Sequence, residues 1–243
     1  MPDYRLLTAG DTALVVEFGD RIERGLNQKV LALARRIAEL RISGIIETVP
    51  TFRSLMIYYE PLVLGRDTLA SHIDDIMRKG LRLVEGAARA WHIPVCYDDR
   101  LAPDLREVAA ATALDPSEIV ARHSATTYHV YMLGFLPGQA YMGDLPAELY
   151  LPRRETPRLR IPAGSLAIAM NMTCIFPLET PCGWHLIGRS PIRLWENGEA
   201  LLAPGDRVSF DPISFEQYED LAADAAEGVL RILPSDDRIG AAA

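Results

Sequence analysis

The chain has 243 residues, an apolar fraction of 49% and a formal net charge of −8, a size that holds one large domain or two small ones, and two are expected. The acidic balance argues against a nucleic-acid partner, and three scattered cysteines (Cys96, Cys174, Cys182), with no C-x-x-C or H-E-x-x-H spacing, provide neither a disulfide framework nor a metal site. The opening residues carry Asp3 in place of a basic run and no apolar run reaches membrane-spanning length, so a cytoplasmic protein with no membrane partner is expected.

Residues 4–10 and 13–19 read as two short strands around the Gly10-Asp11 turn dipeptide. Ile22, Leu26, Val30, Leu33, Ile37 and Leu40 then recur at three and four, which predicts an amphipathic helix from Ile22 to Leu40 closed at Gly44. Two β-rich segments end at Pro50 and Pro61, and a second helix is predicted from Asp67 to Glu85 through Leu69, Ile73, Ile76 and Leu83. Two strand pairs alternating with two helices predict a small ferredoxin-like α+β domain over residues 1–86, joined to residues 87–243 by a linker at about 87–91.

The second part opens with a strand over 92–97 and two short helices. The second of these is signposted by Asp115 as N-cap, Pro116 at the first helical position and Glu118 three residues past the cap. Thr127 to Leu133 alternates as a strand, and beyond Gly134 short β segments broken by Pro, Gly and Asn predict a β-barrel or sandwich. Asn197-Gly198 and Pro204-Gly205-Asp206 are hairpin turns, and the tail from about 235 to 243 is expected to be disordered.

The densest chemistry lies between Leu151 and Arg189. Arg153, Arg154, Arg158 and Arg160 stand against Glu155 alone in eight residues, while Pro152, Pro157 and Pro162 hold the backbone extended. Guanidinium forks match carboxylate and phosphate oxygens, so the segment is a candidate receptor for a small anion or an acidic partner face; a solvated charge run is the plainer alternative. An extended backbone puts Arg154, Arg158 and Arg160 on one side and Arg153 on the other. Gly164 and Ser165 offer an N–H and a hydroxyl to an oxyanion. The Gly134-Phe135-Leu136-Pro137-Gly138 turn with Tyr141, and Trp184 with His185, supply an aromatic pocket wall. No P-loop, dinucleotide fingerprint or nucleophile elbow occurs, no Ser/His/Asp order can be defended, and the residues by themselves yield no catalytic assignment.

In this order, the GDTALVVEFG, VPTFRSLMIYYEP, IPVCYDD with PDL, ARHS, YHVYMLGFLPG, LPRRETPRLRIPAGSLAIA, GWHLIGRSP and PGDRVSF blocks resemble the family of the 5-oxoprolinase B subunit, also called allophanate hydrolase subunit 1, which includes the kinase inhibitor KipI. The resemblance covers about residues 4 to 215. It implies a cyclophilin-like β-barrel C-terminal domain, partnership with proteins like the C and A subunits of 5-oxoprolinase, and ATP-dependent opening of 5-oxo-L-proline to L-glutamate by the assembled complex, with a homo-oligomer expected where the partner is missing. Related domains occur fused in urea carboxylase. On that footing Arg153, Arg154 and Arg158 are assigned to anion or partner contacts, Gly164 and Ser165 to backbone binding, and Arg189 with Trp184 to the opposite wall.

Three positions depart from the family pattern. Gln139 stands where an aromatic is usual, Met170 to Cys174 replace a glycine-rich turn, and Cys182 replaces the first glycine before Trp184. These changes reshape the pocket, so another lactam, urea-like amide or carboxylated compound is an alternative substrate. A KipI-like inhibitor of a sensor histidine kinase is the alternative function, and prolyl isomerase activity by fold analogy ranks below both.

Overall fold

The Gly10-Asp11 turn joins two paired strands: in a computed structural model of the chain, which describes residues 3–83, 88–230 and 232–235, β1 (Arg5–Thr8) runs antiparallel to β2 (Ala13–Glu17), with Arg5 opposite Glu17. The chain then forms α1 (Arg24–Leu40), β3 (Ile45–Pro50), β4 (Ser54–Tyr59) and α2 (Arg66–Lys79). All strand pairings are antiparallel, in the spatial order β1-β2-β4-β3. Read from β2, this is a split β-α-β with β4 inserted between β2 and β3, the ferredoxin-like arrangement with its last strand moved to the front of the chain. Val30, Leu33 and Ile37 of α1 and Leu69, Ile73 and Ile76 of α2 pack with Leu14, Val16, Leu55 and Ile57 in one core.

Both helices are shorter than their apolar stripes. Ile22 precedes α1 and is exposed, and α1 closes at Arg41 in the left-handed region (φ 46), before Gly44. The second helix stops at Lys79, not Glu85: Gly80 takes φ 85 and donates its N–H to the Met77 carbonyl, and Leu83 lies 48% exposed beyond it. Glu85 and Gly86 lie outside the described residues.

Backbone contacts divide the chain into two compact units, Met1–Ala87 and Ala88–Ala243. Ala90 and Trp91, expected in the linker, are buried residues at the start of β5 (Ala90–Cys96). They are held there because β5 pairs in parallel with a late strand and the Trp91 indole N–H donates to Asp206 at 2.9 Å.

The second unit continues with α3 (Leu105–Thr112), α4 (Pro116–Ser124), β6 (Tyr128–Leu133), β7 (Ala140–Gly143), β8 (Arg158–Ile161), β9 (Ser165–Ala169), β10 (Met172–Ile175), β11 (Thr180–Cys182), β12 (His185–Arg189), β13 (Trp195–Glu196), β14 (Glu199–Ala200), β15 (Arg207–Ile213) and α5 (Phe215–Ala226). Seven strands close a barrel in the order β10-β7-β6-β15-β5-β12-β9. The fold class is α+β, a small ferredoxin-like unit followed by a cyclophilin-like β-barrel. Ile93, Val95, Val130, Ala140, Met142, Leu166, Ile168, Ile175, Ile187 and Phe210 fill its interior.

α4 carries the expected capping box between Asp115 and Glu118. Asn197 (φ 53) and Gly198 (φ 84) make the expected hairpin turn, although the strands it joins are only two residues each. α5 was not expected, and its capping box of Ser214 and Gln217 is the local signal for it. Ser235, placed at the start of the disordered tail by sequence, bridges Ala90; residues 236–243 lie outside the described ones. Among the described residues no helix is long and apolar enough to cross a membrane.

Candidate functional site

Prolines 152, 157 and 162 keep the arginine segment extended until it pairs, β8 against β11, as a two-stranded arm separate from the barrel. Its near end is pinned by the Leu151–Met170 bridge and by the Arg154 N–H, which donates to the Gly183 carbonyl at 2.8 Å. Two of its arginines converge on one carboxylate. Arg154 Nη1 donates to Asp104 Oδ1 at 3.1 Å and to Glu107 Oε2 at 2.7 Å. Arg158 Nη1 donates to Asp104 Oδ2 at 2.8 Å, and its Nη2 reaches Asp104 Oδ1.

Asp104 is 1% exposed. It also accepts the Leu186 N–H at 2.7 Å and returns its own N–H to the Leu186 carbonyl at 3.0 Å. A buried carboxylate is tolerable because both oxygens are paired and charge-compensated. The Glu107 hydrogen bond, helped by the Asp104 charge, raises the Arg154 pKa further above its already high value. Asp104 is the residue that sequence reasoning missed. Pro103-Asp104-Leu105 at a helix start reads as a cap, yet the side chain makes no cap bond and turns to the arginines.

His185 joins this group. Its Nε2 donates to the Pro152 carbonyl at 3.0 Å, and Nδ1 lies 3.9 Å from Glu107. Arg160 does not join Asp104 and pairs with Glu179 at 2.8 Å on the exposed arm.

A second group forms around Trp184. The Arg153 guanidinium lies 6.0 Å from its ring centre, and Tyr141 and Phe176 meet it edge-on at 6.0 and 6.4 Å. Arg153 has no carboxylate partner among the described residues. Tyr141 alternates with Ala140 and Met142, which face the barrel interior, so Tyr141 belongs to the outer side of the wall. Burial pushes the Cys174 and Cys182 thiols and the Tyr141 hydroxyl up, each opposed by the Arg153 charge. Free and buried, the two thiols sit as small apolar packing groups do. Of the positions at which the sequence departs from the family pattern, Cys174 and Cys182 fall in this layer with Gln139 beside Cys174, whereas Met170, at the start of the replaced turn, is exposed and meets Tyr150.

Gly164, Ser165 and Arg189 form a separate structural turn. The Gly164 N–H donates to Phe176 at 2.7 Å, Ser165 Oγ to Pro162 at 2.7 Å and Arg189 Nε to Ala163 at 2.9 Å. The Gly164 N–H, the Ser165 hydroxyl and the Arg189 Nε are thus engaged internally. Phe135 and Pro137 stand exposed on the turn before β7.

A cleft of about 720 Å³ lies elsewhere, between the end of β5 and α5, lined by Cys96, Asp98, Arg100, Phe215 and Glu219. Its charges serve each other: Arg100 is bound to Asp98 at 2.7 Å and lies 3.3 Å over the Phe215 ring. Among the described residues no group of three or more His, Cys, Asp or Glu could hold a metal ion.

The chain matches the family described as carboxyltransferase domain, subdomain C and D, over residues 4–203. It is 38% identical over 228 residues to a Bacillus subtilis (strain 168) protein named as the B subunit of 5-oxoprolinase, covering 88% of this chain and 95% of that one. The Escherichia coli O157:H7 protein of the same name is 35% identical over 218 residues, covering 87% and 97%. The solved structure of TTHA0988 superposes with a TM-score of 0.74 at 34% identity, over 83% of this chain and only 40% of that longer chain. With similarity running nearly end to end through the Asp104 and Trp184 groups, the chain belongs to the carboxyltransferase C and D subdomain family and, within it, to the family of the 5-oxoprolinase B subunit.

Proposed function

We propose that this chain is the B subunit of an ATP-dependent 5-oxoprolinase complex, opening 5-oxo-L-proline to L-glutamate together with partners like the A and C subunits of that enzyme, and inactive by itself. The observation that carries the reading is the 38% identity spanning 95% of the B. subtilis protein. The geometry agrees with a positioning role. A lactam is a resonance-stabilised amide whose hydrolysis requires activation of its oxygen, and ATP supplies that activation. This chain contributes a rigid wall: Asp104 anchors Arg154 and Arg158, and that anchorage holds Arg153 and Trp184 where a small anionic substrate would lie.

ATP is a co-substrate of the complex. Arg154 and Arg158, the arginines suited to its phosphates, are neutralised by Asp104 and Glu107, so the residues here do not compose a triphosphate cradle and no ATP contact is assigned to this chain.

The test is affinity copurification of the tagged chain from its native cells, followed by ATP-dependent glutamate release from 5-oxo-L-proline. Recovery of a protein like the 5-oxoprolinase C subunit, with release, establishes the reading. Recovery of a sensor histidine kinase without release replaces it with the KipI-like inhibitor.

A further inference from the structure

In the first unit, α1 and α2 flank a cleft of about 460 Å³, the size of a small-molecule site. Arg35 and Arg36 line it from α1, and Lys79 and Arg82 from the end of α2 and the segment after it. His72 joins them from the middle of α2. Ala32 and Ile76 form the buried apolar part of the lining, and Leu40 stands exposed at its side. A Cβ at Gly80, another lining residue, would meet nothing within 4 Å, so the cleft is open there.

Two acids, Glu39 and Asp75, also line the cleft, and each is already held. Glu39 stands four residues after Arg35, and Asp75 four before Lys79, the spacing at which opposite charges pair along a helix. Both acids go to other arginines instead: Glu39 to Arg36 at 3.0 Å and Asp75 to Arg78 at 2.9 Å. Arg35, Lys79 and Arg82 are left without a carboxylate partner among the described residues. Lys79 lies in the last turn of α2, where it complements the helix dipole, but Arg35 lies more than a turn before the end of α1, out of reach of that helix's dipole. General basicity does not account for them either. The unit Met1–Ala87 holds as many acidic as basic residues, so the uncompensated cations of this cleft are a local excess.

We propose that the α1–α2 cleft is a binding site for a diphosphate group, carried by free pyrophosphate or by the end of a nucleoside diphosphate. Such a group bears about three negative charges near neutral pH, about two of them on the terminal phosphate, and so matches the free charges of Arg35, Lys79 and Arg82. A carboxylate or a single phosphate leaves part of that charge unmatched. The Arg35 and Arg82 forks each suit a pair of phosphate oxygens, and Lys79 supplies a point charge. His72 donates a ring N–H in either protonation state. Packed helices lie about 8–10 Å apart, a gap that these long side chains span from both walls. In a nucleotide, Ile76 and Leu40 offer the apolar surface for the base. The site uses no residue of the Asp104 and Trp184 groups and is independent of the 5-oxoprolinase reading.

The test is calorimetric titration of the full chain with pyrophosphate, ADP and inorganic phosphate, without added metal, at about 0.15 M salt, where weak surface attraction is screened. Saturable binding of one pyrophosphate or ADP per chain is expected, at least about tenfold tighter than that of phosphate. Arg35→Gln with Lys79→Gln should weaken it at least about tenfold. Tm should stay level, because neither side chain has an ion pair to lose. The matched control, Arg106→Gln with Arg193→Gln, removes the same charge from exposed pairs of the second unit and should leave the affinity unchanged. Tighter binding of ADP than of pyrophosphate identifies a nucleotide as the carrier, and the reverse identifies free pyrophosphate; either result supports the site. No saturable binding of either probe, or an equal loss in both double variants, overturns the proposal. A wild-type dimer that Arg35→Gln with Lys79→Gln splits, with no probe bound, also overturns it and gives the cleft to an acidic face of a second copy.

Discussion

Asp104 and Arg158, 54 residues apart in sequence, meet as a two-pronged ion pair in which Arg158 Nη1 lies 2.8 Å from Oδ2 and Nη2 reaches Oδ1. The same carboxylate takes the Leu186 amide at 2.7 Å, so one buried side chain ties the start of α3 to both the arginine arm and a barrel strand. Charge-assisted, bidentate pairs of this kind fix orientation as well as distance.

Replacing Asp104 by asparagine keeps the shape and removes the charge, leaving Arg158 without its carboxylate and Arg154 with Glu107 alone. Loss of one partner of a buried pair costs about 3–5 kcal/mol. Chemical denaturation of Asp104→Asn should show a loss in that range, and Asp104→Asn with Arg158→Met should recover part of it. Additive losses in the double variant would show that the pair is not coupled.

Gly164 takes φ 81, and a Cβ there would sit 2.3 Å from the Ser190 carbonyl oxygen, a backbone atom. The left-handed conformation alone costs a side chain about 1–3 kcal/mol, and Gly164→Ala adds the collision. Gly198 has a similar φ of 84 with open space around its Cβ position, so Gly198→Ala should lose about 1–2 kcal/mol. Equal melting temperatures for the two variants would contradict this account.

His123 is fully buried, with Nδ1 2.9 Å from the Tyr97 hydroxyl, Nε2 3.0 Å from Thr173 Oγ1 and its ring stacked on Phe210. Burial holds its pKa down at about 3, against 6.5 when free. The unfolded chain therefore binds a proton below pH 6.5 that the folded chain refuses. This contribution to stability is complete above pH 6.5 and is lost progressively as pH falls toward 3. Between pH 6.5 and 5 the loss is about 2 kcal/mol. Urea unfolding at the two pH values should show it, and His123→Gln should remove that part of the slope.

Cys96, Cys174 and Cys182 are buried, and burial raises the pKa of each thiol. At pH 8 the native protein should react slowly with a thiol-specific reagent, and all three sites should react at once in denaturant. Rapid native labelling of Cys182 would instead mark the Trp184 layer as open to solvent.

What the sequence determined by itself is what short-range interactions settle. The three-and-four stripe of α1, the Asp115–Glu118 capping box and the Asn197-Gly198 turn each involve residues a few positions apart, so their energetics are written in consecutive letters. Where a local signal competed with another the pattern alone misled: the stripe through Leu83 outran the helix because Gly80 ends it. The blocks around PRRETPRLRIPAGS likewise identified the family, since order and spacing are properties of the string. The fate of the arginines was decided only by tertiary structure. Arg154 and Arg158 are engaged because α3 brings Asp104 and Glu107 beneath them, Arg160 faces Glu179 across the arm, and Arg153 alone is left to Trp184. Charge compensation and burial depend on neighbours brought together from distant parts of the chain, and those distances are set by the closed barrel.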